Sequence, residues 1–373
     1  MITKTKITVK GWISLIFLLL AAGIIFLFSC FPSLVESYYS IGWYPKMSVF
    51  FRGITSKFPF SLGDTIYVLI VIYLIVSVIR FILVGINTGF GLDWLKYGVL
   101  KSTKTLLKFY IAFKLLWGLN YDRQGIAEQL YLSPQPYKIE EVTQLTNLLM
   151  DSLNEYRRQI KYTHLPYLYL KDVKQKAFIC YRKLSVDQPY LSYHQQSVKP
   201  SLFSGAGDYF GFTGYFNPFS GEAQLRTDIP TILMPFIACH EMAHQLGYGS
   251  ESEANFVGYL AASQSSDIYF KYSLYLELFT YAQSEEILWY GREKDYKAFD
   301  SIIRYNRSKL DTLVKKDRKE IRAFFQKRQK KVAPAFTSIY DQYLKLNKQA
   351  SGVKSYDEVI GWLIAYRKKY QRF

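Results

Sequence analysis

Uncharged apolar runs crowd the first third of the chain, and mixed sequence with helical periodicity fills the rest. Residues 12–31 carry no charge and are almost wholly apolar, close to the ~20 residues a helix needs to cross a bilayer. A cleaved signal peptide is the competing reading. The length of the run, the lack of a small-x-small site before Pro32 and the apolar runs that follow favour an uncleaved span. Residues 62–86 form a second run, with Asp64 near one end and Arg80, which can snorkel, near the other. A third, 103–120, contains Lys108 and Lys114 and reads as a short span or an interfacial helix. Residues 32–61 connect the first two runs. They hold Pro32, Pro45 and Pro59, and the aromatic residues Trp43, Tyr44, Phe50 and Phe51 that suit a membrane interface.

The pattern changes near residue 121. Val142, Leu145, Leu148, Leu149, Leu153 and Tyr156 make an apolar stripe that predicts a core-packing helix over 138–161. Residues 165–170 and 177–181 read as short strands. Glycines and aromatic residues alternate through 208–221, so 209–216 is expected as a strand and 222–225 as the next. Ile232, Phe236, Cys239, Ala243 and Leu246 recur at helical spacing. They predict a helix with Asp228 as N-cap, Pro230 as an early position, Pro235 kinking or delaying its first turns, and Gly247 as the C′ residue. A second helix follows Ser250 and runs to 263. Tyr272, Tyr275, Leu276, Phe279 and Ala282 predict a third over 267–294. The tail is helical and basic, with runs at Lys315, Lys316, Arg318 and Lys319 and at Lys327, Arg328, Lys330 and Lys331 that read as solvated faces. The expected fold class is α+β: N-terminal transmembrane helices over 1–120, then a mainly helical domain over 121–373 with a small antiparallel sheet.

Composition supports a membrane setting. Of 373 residues, 50% are hydrophobic and 18% aromatic, and the net charge is +17. No helix-turn-helix, zinc-finger or RNP signature accompanies that charge, so anionic lipid headgroups are the expected partner and nucleic acid is not. Cys30, Cys180 and Cys239 supply no disulfide framework. Lysines at the N-terminus (Lys4, Lys6, Lys10) and at Lys96, Lys101 and Lys104 mark those segments as cytoplasmic. Lys46, Arg52 and Lys57 in the first loop soften the bias. Three spans would then place everything after Tyr121 outside the cytoplasm, and two would place it inside. Nothing in the sequence selects an oligomeric state.

The chemistry concentrates in His240-Glu241-Met242-Ala243-His244. On a helix, positions i and i+4 share one face, so the two imidazoles can aim at one point. Zn²⁺ accepts such nitrogens, and a catalytic zinc keeps three protein ligands and an open position. Glu241 is placed to take a proton from water rather than to bind metal. A helix carrying two satisfied polar histidines is the plainer reading. Against it, the chain has four histidines, two of which sit here on a capped apolar helix, with carboxylates close behind. No histidine or methionine follows, so a third His ligand downstream and a Met-turn are both excluded. Glu251 and Glu253 are the candidates for third ligand, with His164 and His194 as outsiders. Ser250-x-x-Glu253 has capping-box form, which gives Glu253 a structural role and favours Glu251 for the metal. Asn255, one turn past Glu251, could hydrogen-bond a ligating histidine. His194 or a tyrosine could stabilise an oxyanion, and the edge of 209–216 could bind substrate backbone by strand addition.

His240-Glu241-x-x-His244 with Glu251-x-x-Ala254-Asn255 resembles the gluzincin pattern, in which a glutamate on a second helix completes a zinc site. Glu251-x-Glu253-Ala254-Asn255 is also similar to the E-x-E-A-N element of bacterial metallopeptidases that cleave repressors. The chain as a whole resembles an uncharacterised family of bacterial membrane proteins with a hydrophobic N-terminal part followed by these motifs. It departs from the usual gluzincin form in its short gap from His244 to Glu251, and in Asn255 where aspartate is common. The resemblance implies a zincin-like metallopeptidase domain and supplies no particular substrate. With the motif it leads to the expectation of one Zn²⁺ per chain and of peptide or protein substrates, and the three-span count puts the catalytic domain on the periplasmic side of the bacterial inner membrane. The contrasting expectation is a non-proteolytic envelope or interaction protein in which zinc only ties two helices together.

Overall fold

The computed structural model describes residues 8–133, 135–328, 338, 342 and 356–371. Lys4, Lys6, Lys330 and Lys331 lie outside them. Two helices among these residues are long and apolar enough to cross a membrane: α1 (Val9–Ser29) and, further along, Leu62–Thr88. Between them the connector is helical. A short turn (Pro32–Leu34) and a π-helical stretch (Val35–Trp43) lead into α2 (Tyr44–Thr55), whose Pro45 sits in the first turn, where no donor is needed. Tyr44, Ser48, Arg52 and Thr55 form its buried face. The second apolar helix, α3 (Leu62–Thr88), is capped by Ser61, whose hydroxyl accepts from Asp64 N–H at 3.0 Å.

The expected third segment, 103–120, is part of a longer helix, α4 (Leu92–Leu116). It turns back on α3 through 89–91. Trp94 stacks on Phe81 with ring centroids 4.2 Å apart and donates to the Phe81 carbonyl. α4 also packs along α1.

α5 (Ile139–Gln159) fits its predicted range and buries Val142, Leu145, Leu149 and Leu153. α6 (Leu170–Asp187) corrects an expectation. Residues 177–181 are helical and 165–170 contribute no strand. Val173, Ala177, Cys180, Tyr181 and Leu184 are buried at helical spacing, and that periodicity outweighs the apolar, aromatic run at 177–181. Both Cys180 and Cys239 are free thiols.

The sheet is small and mixed, not antiparallel. β1 (Val198–Pro200) runs parallel to β3 (Glu222–Leu225), and β2 (Gly214–Asn217) pairs with β3 antiparallel, in the order β1-β3-β2. β2 and β3 form a hairpin, and β1, which arrives from a separate segment and not through a tight turn, takes the other edge of β3 in the parallel sense. The expected strand over 209–216 shrinks to β2, because Gly207–Phe210 is a short helix.

Further helices among the described residues are α7 (Met234–Gln245), α8 (Glu251–Ala262), α9 (Ile268–Arg292), α10 (Tyr296–Lys309), α11 (Thr312–Arg328) and α12 (Tyr356–Tyr370). α7 lies at the centre, against β3, α6, α8 and α9. It starts later than Asp228 and Pro230 suggest. A 3-10 turn (Thr231–Leu233) intervenes, and Pro235 occupies the first helical turn. Asp228 instead pairs with Arg226 at 3.0 Å and with Arg328.

Candidate metal centre

α7 ends as its sequence requires. Gly247 adopts φ +90, a conformation glycine takes without steric cost. Gly247 N–H donates to His244 O at 2.9 Å and Tyr248 N–H to Ala243 O at 3.2 Å, the two bonds of a Schellman motif. The chain reverses there and Ser250 opens α8, its hydroxyl accepting from Glu253 N–H at 3.2 Å. The reversal lays the start of α8 against the end of α7.

His240, His244 and Glu251 therefore converge. One ligand atom from each lies within 4.8 Å of the others, and this group could hold a metal ion. Glu251 Oε2 is 3.2 Å from His240 Nε2, and Oε1 is 3.8 Å from His244 Nε2. The rings stand perpendicular with centroids 4.8 Å apart. His244 Nδ1 faces the Tyr248 carbonyl at 2.7 Å. That carbonyl can only accept, so Nδ1 carries the proton and Nε2 keeps its lone pair toward the centre.

The electrostatics are uneven. Burial disfavours protonation of His240, but Glu251, with Glu241 and Asn255, outweighs it and pushes the imidazole up to about 9. Burial holds His244 down to about 4. Burial pushes the Glu241 carboxyl up to about 8, with Glu251 adding to the effect. Glu241 Oε1 lies over the edge strand, where a Cβ at Gly214 would stand only 2.7 Å from it. Glu241 Oε2 and His240 Nδ1 are buried with no hydrogen-bond partner among the described residues. Orphaned buried polar atoms of this kind carry a desolvation cost until something binds.

Glu253 is turned elsewhere. Its carboxylate accepts from Ile126 N–H at 2.8 Å, and Ser250 N–H also supports it. Asn255 lies beside His240 and accepts from the Tyr281 hydroxyl at 3.2 Å. His194 is exposed and pairs with Ser192 Oγ at 3.0 Å, outside the three-residue group, and His164 lies against Lys316.

Several neighbours escape sequence reasoning. Glu277 on α9 is held by Tyr281 and senses the charge of His240; burial raises its pKa. A collar of donors from far along the chain grips the last carbonyls of α7. Trp117 Nε1 donates to His244 O at 3.2 Å, and Tyr44 and Ser48 donate to Gln245 O at 3.2 and 2.8 Å. The Trp117 ring lies edge-on to His244, centroids 5.9 Å apart. Gln245 is itself fixed by Tyr193, Ser197 and Gly221. The one available signal is the aromatic excess of the N-terminal part, which fits a membrane interface equally well.

A three-residue group that could hold a metal, set beside a small mixed sheet in a mostly helical chain with two helices long and apolar enough to cross a membrane, defines the class of architecture. The chain belongs to the family described as Protein of unknown function (DUF3810), whose model matches residues 39–364. That match takes in α2 and Trp117 together with the metal centre. Comparison with curated proteins and with solved structures gave no match.

Proposed function

We propose that this protein is a membrane-anchored, zinc-dependent peptidase. The observation that carries the reading is the convergence of His240, His244 and Glu251 with Glu241 placed against the edge strand β2. The donor set suits zinc, since two imidazoles and a carboxylate leave a position open. Tetrahedral ligands at ~2.1 Å from zinc stand roughly 3.4 Å apart, and the Glu251 contacts at 3.2 and 3.8 Å bracket that spacing. Zinc bound there would polarise the scissile carbonyl and acidify water. The free edge of β2 binds the peptide backbone as an added strand, and Gly214 leaves the room it needs beside Glu241. Glu241 Oε2, unpartnered, accepts a proton from water and returns it to the leaving amine.

The test is metal content by mass spectrometry on detergent-purified protein. We expect about one zinc per chain, lost in His240→Ala and Glu251→Ala and kept in Glu253→Ala. A wild-type protein free of zinc under metal-replete conditions removes the reading. Zinc present without any peptide cleavage would favour the non-proteolytic alternative.

The same geometry supports a location. Both ends of the α3–α4 hairpin are tied to the domain. At the start of α3, Leu62 N–H donates to Glu222 and Asp64 accepts from the Tyr215 hydroxyl at 2.7 Å; past the end of α4, Trp117 reaches His244. A hairpin that leaves and returns to one face crosses a bilayer twice or not at all. If α3 spans, so does α4, and with α1 the count is three. Arg80 lies about 27 Å along α3, and Lys101 about 22 Å from the far end of α4, at 1.5 Å per residue. These charges, with Lys104, mark a common cytoplasmic level, and the domain lies on the opposite side. Lys114 nearer the domain is paired with Asp122 at 2.7 Å. We therefore place the catalytic domain on the periplasmic side of the inner membrane. A cysteine at exposed Tyr131 should react with an impermeant maleimide in spheroplasts, and one at Phe90 in the hairpin turn should not. The reverse pattern overturns the placement.

A further inference from the structure

A pocket of about 270 Å³ opens beside the metal centre. Thr213, Ile237 and Glu277 line one wall. Ile237 and Glu241 flank the same point over Gly214, and Glu277 senses His240, so this wall is continuous with the centre. The facing wall is α11, with Arg318, Ile321, Arg322 and Phe325. α11 is anchored one residue earlier. Asp317 is fully buried, 2.5 Å from Arg157 Nε, and accepts from the Tyr272 hydroxyl at 2.8 Å. Another recess, about 460 Å³, is built from the 151–159 face of α5 and touches no residue of the centre.

Arg318 is the unexplained feature. Its guanidinium stacks on Phe279 at 4.8 Å and donates to Gln283 at 2.7 Å. Among the described residues, neither it nor Arg322 has a carboxylate in salt-bridge range, whereas Arg226, Arg123 and Arg157 each do. Burial, followed by the like charge of Arg322, lowers its pKa to about 10. A half-buried cation with no counter-charge is costly to hold. A carboxylate meets the guanidinium fork with two parallel bonds. Glu277 in the same pocket does not fill that role, since its carboxyl is turned to Tyr281 on the α9 side.

We propose that this pocket is a specificity subsite that seats a carboxylate of the bound peptide on Arg318 and Arg322. The carboxylate comes from an acidic side chain or from the peptide's own C-terminus. Apolar Leu233, Ile237, Ile321 and Phe325 would pack the stem of the residue that carries it. The assignment rests on the peptidase reading for its place in catalysis, but the pocket can be tested by binding alone.

The experiment uses full-length, zinc-loaded Glu241→Gln protein in detergent, which should bind peptide without cleaving it. Three fluorescent hexapeptides serve as probes: one with an internal Glu and blocked ends, its Gln counterpart, and the Gln peptide with a free C-terminus. Anisotropy should show at least tenfold tighter binding of one carboxylate-bearing peptide over the blocked Gln peptide, weakening as salt rises. The internal-Glu probe winning points to an acidic side chain, and the free-terminus probe winning points to C-terminal recognition. Arg318→Gln should abolish the preference, Arg318→Lys should keep part of it, and the exposed Arg322→Ala should weaken it without touching the core. Equal or undetectable binding of all three probes, or a preference that survives Arg318→Gln, overturns the subsite. A clear preference with no cleavage of any probe by wild-type protein would keep the subsite and remove the peptidase.

Discussion

The candidate metal centre and the collar that holds its helix differ in how far their residues lie apart. His240, Glu241, His244 and Glu251 fall within twelve consecutive positions. The collar on the carbonyls of the same helix comes from Tyr44, 201 positions from Gln245, and Trp117, 127 positions from His244. The centre is thus short-range chemistry on two helices, and the collar is a long-range contact between membrane-side and polar parts of the chain. The difference teaches that ligands and their support can be disturbed separately, which sets the order of the tests.

The largest effect should come from the centre itself. Glu241→Gln removes the proposed base but keeps size and burial. We expect peptide cleavage to fall about 10²–10⁴-fold, with zinc content and unfolding midpoint unchanged. Cleavage at the wild-type rate would exclude Glu241 as the base. Gly214→Ala comes next. Its Cβ would stand 2.7 Å from Glu241 Oε1 and 3.0 Å from Ile237 Cγ2, so the carboxylate or the strand must shift. Misplacement of that kind costs on the order of 10²-fold in rate, again with zinc retained. A Gly214→Ala protein of full activity would show that the edge strand is not where substrate binds.

The collar should give a smaller and different response. Trp117→Phe keeps a ring against His244 but deletes the N–H that serves its carbonyl. We expect a loss of about 1–3 kcal/mol in chemical denaturation and zinc binding weakened about tenfold in chelator competition. A stability loss with zinc affinity unchanged would make the collar a brace for the fold and nothing more.

The comparison also explains what was legible in the sequence. The i, i+4 histidines, the C′ glycine and the Ser250 cap are local rules, and each is read from a few neighbouring residues. α5 and α9 declare themselves by periodicity for the same reason, and α8 by its Ser250 cap. α6 carries the same periodic signal, but its 177–181 stretch in isolation has the apolar run of a short strand. The start of α7 misled because Pro230 and Pro235 both suit a first turn, and only packing selects the second. β1 was invisible as a partner of β3, since nothing in three residues announces pairing. Glu277, Tyr44, Trp117 and Arg318 reach the site only through tertiary folding. Their types, a carboxylate, two aromatics and an arginine, are common across the chain.

The smallest expected effect lies outside both regions and separates their titration from that of the fold. Glu286 on α9 is fully buried, accepts from Asn306 at 2.8 Å through Oε2, and leaves Oε1 unpartnered among the described residues. Burial raises its pKa from an ordinary 4.5 to about 6, against the opposing bonds from Asn306 and two threonines. Below pH 4.5 the group is protonated folded and unfolded, and its contribution to stability is fully present. As pH rises to about 6 the unfolded chain ionises first, so stability falls and then levels off. The drop is about 2 kcal/mol. Urea titrations of zinc-loaded protein between pH 4.5 and 7 should show it, and Glu286→Gln should flatten the profile. If the slope survives Glu286→Gln, the pH response belongs to other groups, and the centre and its collar become the first places to look.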